Sequence, residues 1–169
     1  SHQLVRHRIA SYSQKSQRYV KENNKEEEFH KVTPKSILND PENAFCTYVG
    51  IMSQIDDAYN ELLKLGIPKE DARYVLPNAC CTNLVITMNA RSLFNFFSLR
   101  CCNRAQWEIK EVANEMLKLV KNVAPNVFKY AGRPCIKGYC PEGNMQCEEF
   151  KGKIPTLNIL LDSYKKGDN

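Results

Sequence analysis

The sequence predicts a helix-rich α+β domain on three observations. A long stripe of apolar residues at helical spacing runs between Asn43 and Leu65, a second runs between Arg104 and Val123, and one β-branched run, Thr82-Asn83-Leu84-Val85-Ile86-Thr87-Met88, lies between them.

Residues 1–20 are dense in Arg, His, Ser, Gln and Tyr without a clean helical period, which predicts a polar loop and then a short extended piece. From Lys21 to Asp40, the run Lys25-Glu26-Glu27-Glu28 followed by Thr33-Pro34 indicates a solvated excursion with one short strand. Phe45, Tyr48, Met52, Ile55, Tyr59 and Leu62 then recur at steps of three and four and line one face of a helix of about six turns. Gly66 is placed to stop it. Pro68-Lys69-Glu70-Asp71 starts a second helix, with Pro in the first turn and acids near the positive end of the dipole, and Pro77 ends it.

The β-branched run suits one buried strand, and Asn89-Ala90-Arg91-Ser92 forms a turn into a helix from Leu93 to Leu99. The next helix runs from Arg104 to Val123 with Ile109, Val112, Ala113, Met116, Leu117 and Val120 on one face, and Pro125 closes it. Beyond Phe128, Gly132, Pro134, Gly138, Pro141 and Gly143 crowd around Cys135, Cys140 and Cys147. This predicts an irregular tail over residues 131–169, appended to a main domain over residues 1–130.

With 169 residues, 24 Lys and Arg against 19 Asp and Glu, 43% apolar and 25% charged residues, the chain fits one globular domain and excludes collagen or intrinsic disorder. No apolar run approaches the ~20 residues of a membrane-spanning helix. The start has neither an initiator Met nor a signal-peptide layout and reads as the middle of a gene. Two vicinal cysteine pairs, Cys80-Cys81 and Cys101-Cys102, fall in segments that look like buried strand and helix. They suit reduced thiols in a cytoplasmic protein rather than a disulfide framework.

Arg6-His7-Arg8 and the next ten residues hold three Arg, one His, three Ser and two Gln. Arg offers a planar fork of donors to phosphate oxygens, and Ser and Gln add neutral donors for a base edge. By composition alone this is a nucleotide or nucleic-acid site, or a solvated basic loop.

The order of residues is more specific. Arg6-His7-Arg8, seven residues, Ser16 and then Arg18-Tyr19 resembles the signature of the flavin-dependent thymidylate synthases, the ThyX family. A second block agrees in order: Ala72-Arg73-Tyr74-Val75-Leu76-Pro77, Asn89-Ala90-Arg91-Ser92-Leu93, Asn95, Leu99-Arg100 and Ala105-Gln106-Trp107-Glu108-Ile109. The resemblance spans about Ser1 to Phe128. It implies helices packed on a small antiparallel or mixed sheet, with residues 1–130 as a catalytic domain lacking a preceding strand-and-helix region. It also implies a cytoplasmic enzyme that makes dTMP from dUMP, with 5,10-methylenetetrahydrofolate as one-carbon donor, FAD as cofactor and NADPH as the flavin's reductant. The family is a homotetramer whose subunits share active sites, and neither nucleic acid nor a membrane is a partner.

Carried over residue by residue, the resemblance places Arg6, His7, Arg8, Gln14, Asn89, Ala90, Arg91 and Asn95 at FAD. The second group falls at a strand-to-helix turn, where a helix N-terminus favours an anionic diphosphate. The dUMP-binding set is Gln3, Leu4, Val5, Arg6, Gln14, Lys15, Ser16, Gln17, Arg18, Arg73 and Arg100, with Ser16 and Arg18 at the phosphate and Arg73 assisting. Arg100, matched to the arginine against the uracil edge, is the expected catalytic residue because a fixed positive charge there stabilises negative charge developing on the ring. Ser16 is a dUMP ligand in this reading; no base adjoins it to make it a nucleophile. Cys101 and Cys102 are expected to be packing thiols of the helix.

Three positions depart from the pattern: Ser13 where many relatives have Asn, Gln14 where many have Glu, and Arg104 where some have His. No metal is expected, because the three tail thiols lack a fourth ligand. Two rival functions remain. One is a family member that binds nucleotide or flavin without turnover. The other is a single-stranded nucleic-acid binder using Tyr12 and Tyr19, which the mixed charge disfavours and which leaves the Asn89–Arg100 block unexplained.

Overall fold

The computed structural model describes residues 2–16 and 30–167. In chain order its regular elements are β1 (Ser11–Gln14), α1 (Lys35–Leu38), α2 (Cys46–Lys64), α3 (Lys69–Ala72), β2 (Leu84–Thr87), α4 (Ala90–Arg100), α5 (Trp107–Val123), α6 (Pro125–Phe128) and α7 (Leu157–Gly167). The two strands pair in an antiparallel sheet, so the chain is α+β and helix-rich, as expected. The chain divides into two compact units: a split unit of Ser1–Ser11 with Ile86–Asn169, and a continuous unit of Tyr12–Val85.

The continuous unit is built on α2. Met52, Asp56 and Tyr59 are its buried residues, and Phe45, Tyr48, Ile55 and Leu62 are half-buried along the same apolar stripe. The α-helix starts at Cys46 rather than Asn43. Pro41–Phe45 forms a wider π-helical turn, in which the Asp40 carboxylate accepts from the Asn43 N–H at 3.2 Å. At the other end Gly66 takes φ +83°, and the Gly66 and Ile67 N–H groups reach back to the carbonyls of Leu63 and Leu62. This pairing satisfies the last orphan carbonyls and needs a residue at ease in the left-handed region. Buried Asp56 is paired with Lys31 at 3.0 Å, and the Tyr48 hydroxyl donates to the Val32 carbonyl at 2.9 Å. These two contacts fix the segment before α1 against α2, and Lys31 also bridges to Cys80 in antiparallel fashion.

The split unit is centred on α4 and α5. Phe96 and Phe97 are fully buried, and the Phe96, Phe97, Phe128 and Phe94 rings form a chain of edge and stacked contacts with centroids 5.3–6.3 Å apart. Burial of each such side chain is worth roughly 1.5–3 kcal/mol. Ala113 is the fully buried point of α5, which packs on α4. The α5 helix begins at Trp107 rather than Arg104 because the Gln106 side chain accepts from the N–H groups of Glu108 and Ile109, at 3.0 and 3.2 Å. It thereby acts as the N-cap.

Three local expectations change. The strand at Leu84–Thr87 alternates half-buried and exposed residues, with Val85 69% exposed, because it belongs to a two-stranded sheet rather than to a buried core. Cys80 is half-buried and Cys81 exposed, both outside the strand, whereas Cys101 is buried at the C-cap of α4. After α6 the chain is irregular with two short 3₁₀ turns, Pro134–Lys137 and Gly143–Met145, but it then forms α7. No helix among the described residues is long and apolar enough to cross a membrane.

Candidate functional site

The site grows from the two ends of α4. At its start, Asn89 has extended dihedrals and its Oδ1 accepts from the Ser92 N–H at 2.8 Å. This N-cap starts the helix at Ala90, three residues before the sequence expectation, and places Arg91 and Ser92 in its first turn and Asn95 in the second. Together with Arg6, His7, Arg8 and Ile9 they line an open groove of about 320 Å³. Three guanidinium groups and two neutral polar side chains face it, and no carboxylate lines it.

At the other end, Arg100 closes α4, where a cation complements the negative end of the dipole. Its Nε donates to His7 Nε2 at 3.0 Å and its Nη1 to Gln3 Oε1 at 3.2 Å, while Nη2 makes no hydrogen bond among the described residues. The same Gln3 oxygen accepts from the Gln106 N–H at 3.4 Å. The His7 ring is only 6% exposed and meets Phe96 edge-on at 5.0 Å, so the anchor of Arg100 rests on the aromatic core.

Burial, reinforced by the Arg100 charge, pushes the His7 pKa below its usual range. His7 is therefore the neutral tautomer that accepts from Arg100 through Nε2. Burial also lowers the Arg100 pKa, and the nearby Arg6 charge adds to it. Arg6, which lines the groove, and Arg100 are thus two cations within electrostatic reach of each other, an arrangement that a nearby anion would relieve.

The structure thus brings together Gln3, Arg6, His7, Arg8, Arg91, Asn95 and Arg100 within the split unit. Leu4 is buried, its carbonyl accepting from the His7 N–H, and Val5 is exposed. Asn89 acts through its cap, and Ala90 is exposed in the first turn. In the continuous unit, Gln14 Nε2 donates to Thr82 Oγ1 at 3.4 Å and the Lys15 N–H to the Asn83 carbonyl at 2.9 Å; Ser16 is half-buried. Arg73 Nε donates to the Glu70 carbonyl at 2.9 Å, with the guanidinium 5.8 Å from the Tyr74 ring centre. Gln17 and Arg18 lie outside the described residues. Ile9, Ser92 and Gln106 join the site without having been assigned roles from sequence; the signal for Ser92 was its place three residues after a capping Asn.

The family model described as thymidylate synthase complementing protein matches residues 1–126. The chain belongs to this family. Among curated flavin-dependent thymidylate synthases, that of Geobacter sulfurreducens is 54% identical over 147 residues, covering 87% of this chain and 62% of the relative. That of Clostridium tetani is 51% identical, covering 87% and 64%, and that of Sulfolobus acidocaldarius is 52% identical, covering 80% and 50%. This member of the thymidylate synthase complementing family therefore spans between half and two thirds of the length of these relatives. Its family match takes in both units, including the α4 groove and the Arg100 anchor.

Proposed function

We propose that this chain forms part of a FAD-dependent thymidylate synthase, which converts dUMP to dTMP with 5,10-methylenetetrahydrofolate as the one-carbon donor and NADPH as reductant. The observation that carries this reading is the Arg100 guanidinium, fixed through Nε and Nη1 by His7 and Gln3 with Nη2 unengaged among the described residues, and the groove of cationic and neutral donors that His7 also lines.

The donor set fits an anionic dinucleotide. Arg6, Arg8 and Arg91 neutralise diphosphate charge, and Ser92 and Asn95 add neutral hydrogen bonds at the start of α4. At about 320 Å³ the groove lies at the lower end of ligand sites, about 300–1,000 Å³, and suits a fragment of FAD rather than the whole. That fits a homotetramer in which several subunits complete each site. When bound, the flavin supplies the reducing hydride.

The chain's own residues bind and orient. Arg100, held on one edge, presents Nη2 to the uracil and stabilises charge developing on the ring, with Arg6 close by. Neutral His7 fixes the guanidinium rather than transferring a proton. Gln3, Leu4, Val5, Gln14, Lys15, Ser16, Gln17, Arg18 and Arg73 form the remainder of the dUMP site, with Ser16 as ligand and not nucleophile. Residues 1–130 carry this site, residues 131–169 form an appended segment, and the enzyme works in the cytoplasm without nucleic acid or membrane as a partner.

The test is dUMP-dependent reoxidation of reduced FAD in the presence of methylenetetrahydrofolate, with dTMP measured alongside. Reoxidation that yields dTMP is the expected result. Flavin and nucleotide binding with no dTMP formed in the full assembly would contradict the synthase reading and leave a binding protein.

A further inference from the structure

A second groove, of about 460 Å³, lies within the split unit and shares no lining residue with the α4 groove. One wall is a stripe of α5. Lys110, Asn114, Leu117 and Lys121 follow at steps of four, three and four, so they fall on one face of the helix. All four are half-buried, and neither the two ammonium groups nor the Asn114 amide has an ion-pair or hydrogen-bond partner among the described residues. Taking an ammonium partly out of water without a counter-ion costs free energy, which a bound anion offsets.

The segment after α6 supplies more of the lining and comes close to the helix. Gly132 takes φ +137°, and a Cβ there would lie 3.2 Å from Ile136 Cδ1 and 3.6 Å from Leu117 Cδ2. Glycine therefore lets the backbone approach α5, and Leu117 and Ile136 give the groove an apolar patch. Arg133 follows, its Nη1 3.5 Å from the Glu149 carboxylate, to which Asn103 Nδ2 also donates. Among the described residues Glu149 is the one carboxylate that lines the groove, and it is already paired, which leaves the charges of Lys110 and Lys121 over. Cys101 adds no negative charge. It is 4% exposed, and burial pushes its thiol up to about 11, outweighing the Lys121 and Arg133 charges.

We propose that this groove is a second anion site of the chain, taking a diphosphate, either free or esterified to a small apolar group. The spacing of the charges carries the choice of ligand. Lys121 stands three turns beyond Lys110, about 16 Å along the helix axis. Their flexible four-carbon stems bring the ammonium groups toward each other, and cations entering from the two ends engage two linked phosphate groups more fully than one. Asn114, one turn from Lys110, offers amide donors between them. The patch of Leu117 and Ile136 suits an apolar ester group, and the volume falls within the range of ligand sites, about 300–1,000 Å³.

The purified chain and its Arg8→Ala variant, in which the α4 groove is weakened, are titrated calorimetrically with inorganic diphosphate, butyl diphosphate and inorganic phosphate in buffer free of divalent metal. Saturable diphosphate binding that persists in Arg8→Ala is expected, tighter than that of inorganic phosphate. Adding Lys110→Gln or Lys121→Gln to Arg8→Ala should weaken it at least about tenfold. Glutamine keeps the helix propensity of lysine, so these variants test charge rather than folding. Butyl diphosphate bound more tightly than the inorganic ion identifies an esterified ligand, and the reverse order identifies the free ion. No saturable binding of either diphosphate by Arg8→Ala of intact helicity overturns the proposal, as does binding that both lysine substitutions leave unchanged. Inorganic phosphate bound as tightly as diphosphate overturns the choice of ligand.

Discussion

The candidate site residues of the split unit and those of the continuous unit are held in different ways. In the split unit, His7 and Gln3 reach across 93 and 97 positions of sequence to fix one guanidinium, and His7 itself rests against a fully buried Phe96. In the continuous unit, Gln14 makes an exposed contact of 3.4 Å to the Thr82 hydroxyl, and Arg73 is held by the carbonyl three residues before it. One region presents a charge already oriented by a packed core. The other presents donors held by exposed or local contacts. Electrostatic stabilisation is effective when the dipole or charge needs no reorganisation, so under the proposed function the chemistry is expected of the first region.

The largest effect expected from this contrast is on turnover. Arg100→Ala should lower dTMP formation by about a thousandfold and leave FAD affinity nearly unchanged; turnover within about tenfold of the parent would remove Arg100 from the chemistry.

The next concerns pH. His7 has a folded pKa below its unfolded value, so the unfolded chain takes up its proton first as pH falls. The stability this neutral His contributes is complete above the unfolded value, about 6.5, and is lost as pH drops from there through the folded pKa. Protonation also turns Nε2 into a donor and breaks the bond from Arg100. A chemical-denaturation series should show stability rising with pH through this window, with a flatter slope in His7→Gln. Equal slopes in the two proteins would mean that His7 is not held neutral.

A smaller effect is expected at the start of α4. Asn89→Ala should cost about 1 kcal/mol of stability, and Asn89→Ser should recover most of it; equal stabilities for all three proteins would show that the cap does not hold the helix start. The smallest is at Gln14, where Gln14→Ala should change stability by less than about 0.5 kcal/mol while weakening dUMP binding. A loss above about 1 kcal/mol would show that the continuous unit is as preorganised as the split one.

Periodic, chemically simple features were legible in the sequence. The stripe Met52, Tyr59, Leu62 and the stop at Gly66 located α2, and the apolar positions around Ala113 located α5. Helix starts were less legible, because Asn89 and Gln106 set them through single side-chain bonds that leave no period. The α7 helix escaped, although Leu157, Leu160, Leu161 and Tyr164 stand at helical spacing, since the preceding Gly and Pro residues dominated the reading. The ordered motifs singled out residues that the structure gathers in the split unit, Arg6, His7, Arg8, Arg91, Asn95 and Arg100, but not that Gln3 and His7 grip Arg100. That contact joins residues 93 and 97 positions apart, and neither local propensity nor spacing encodes it.

The most direct test of the central claim, that the α4 groove and the Arg100 anchor form a flavin site coupled to the nucleotide, is a fluorescence titration of FAD into the purified chain with and without dUMP. The expected result is saturable quenching that dUMP alters and that Arg8→Ala weakens. Saturable binding indifferent to both dUMP and Arg8→Ala would contradict it.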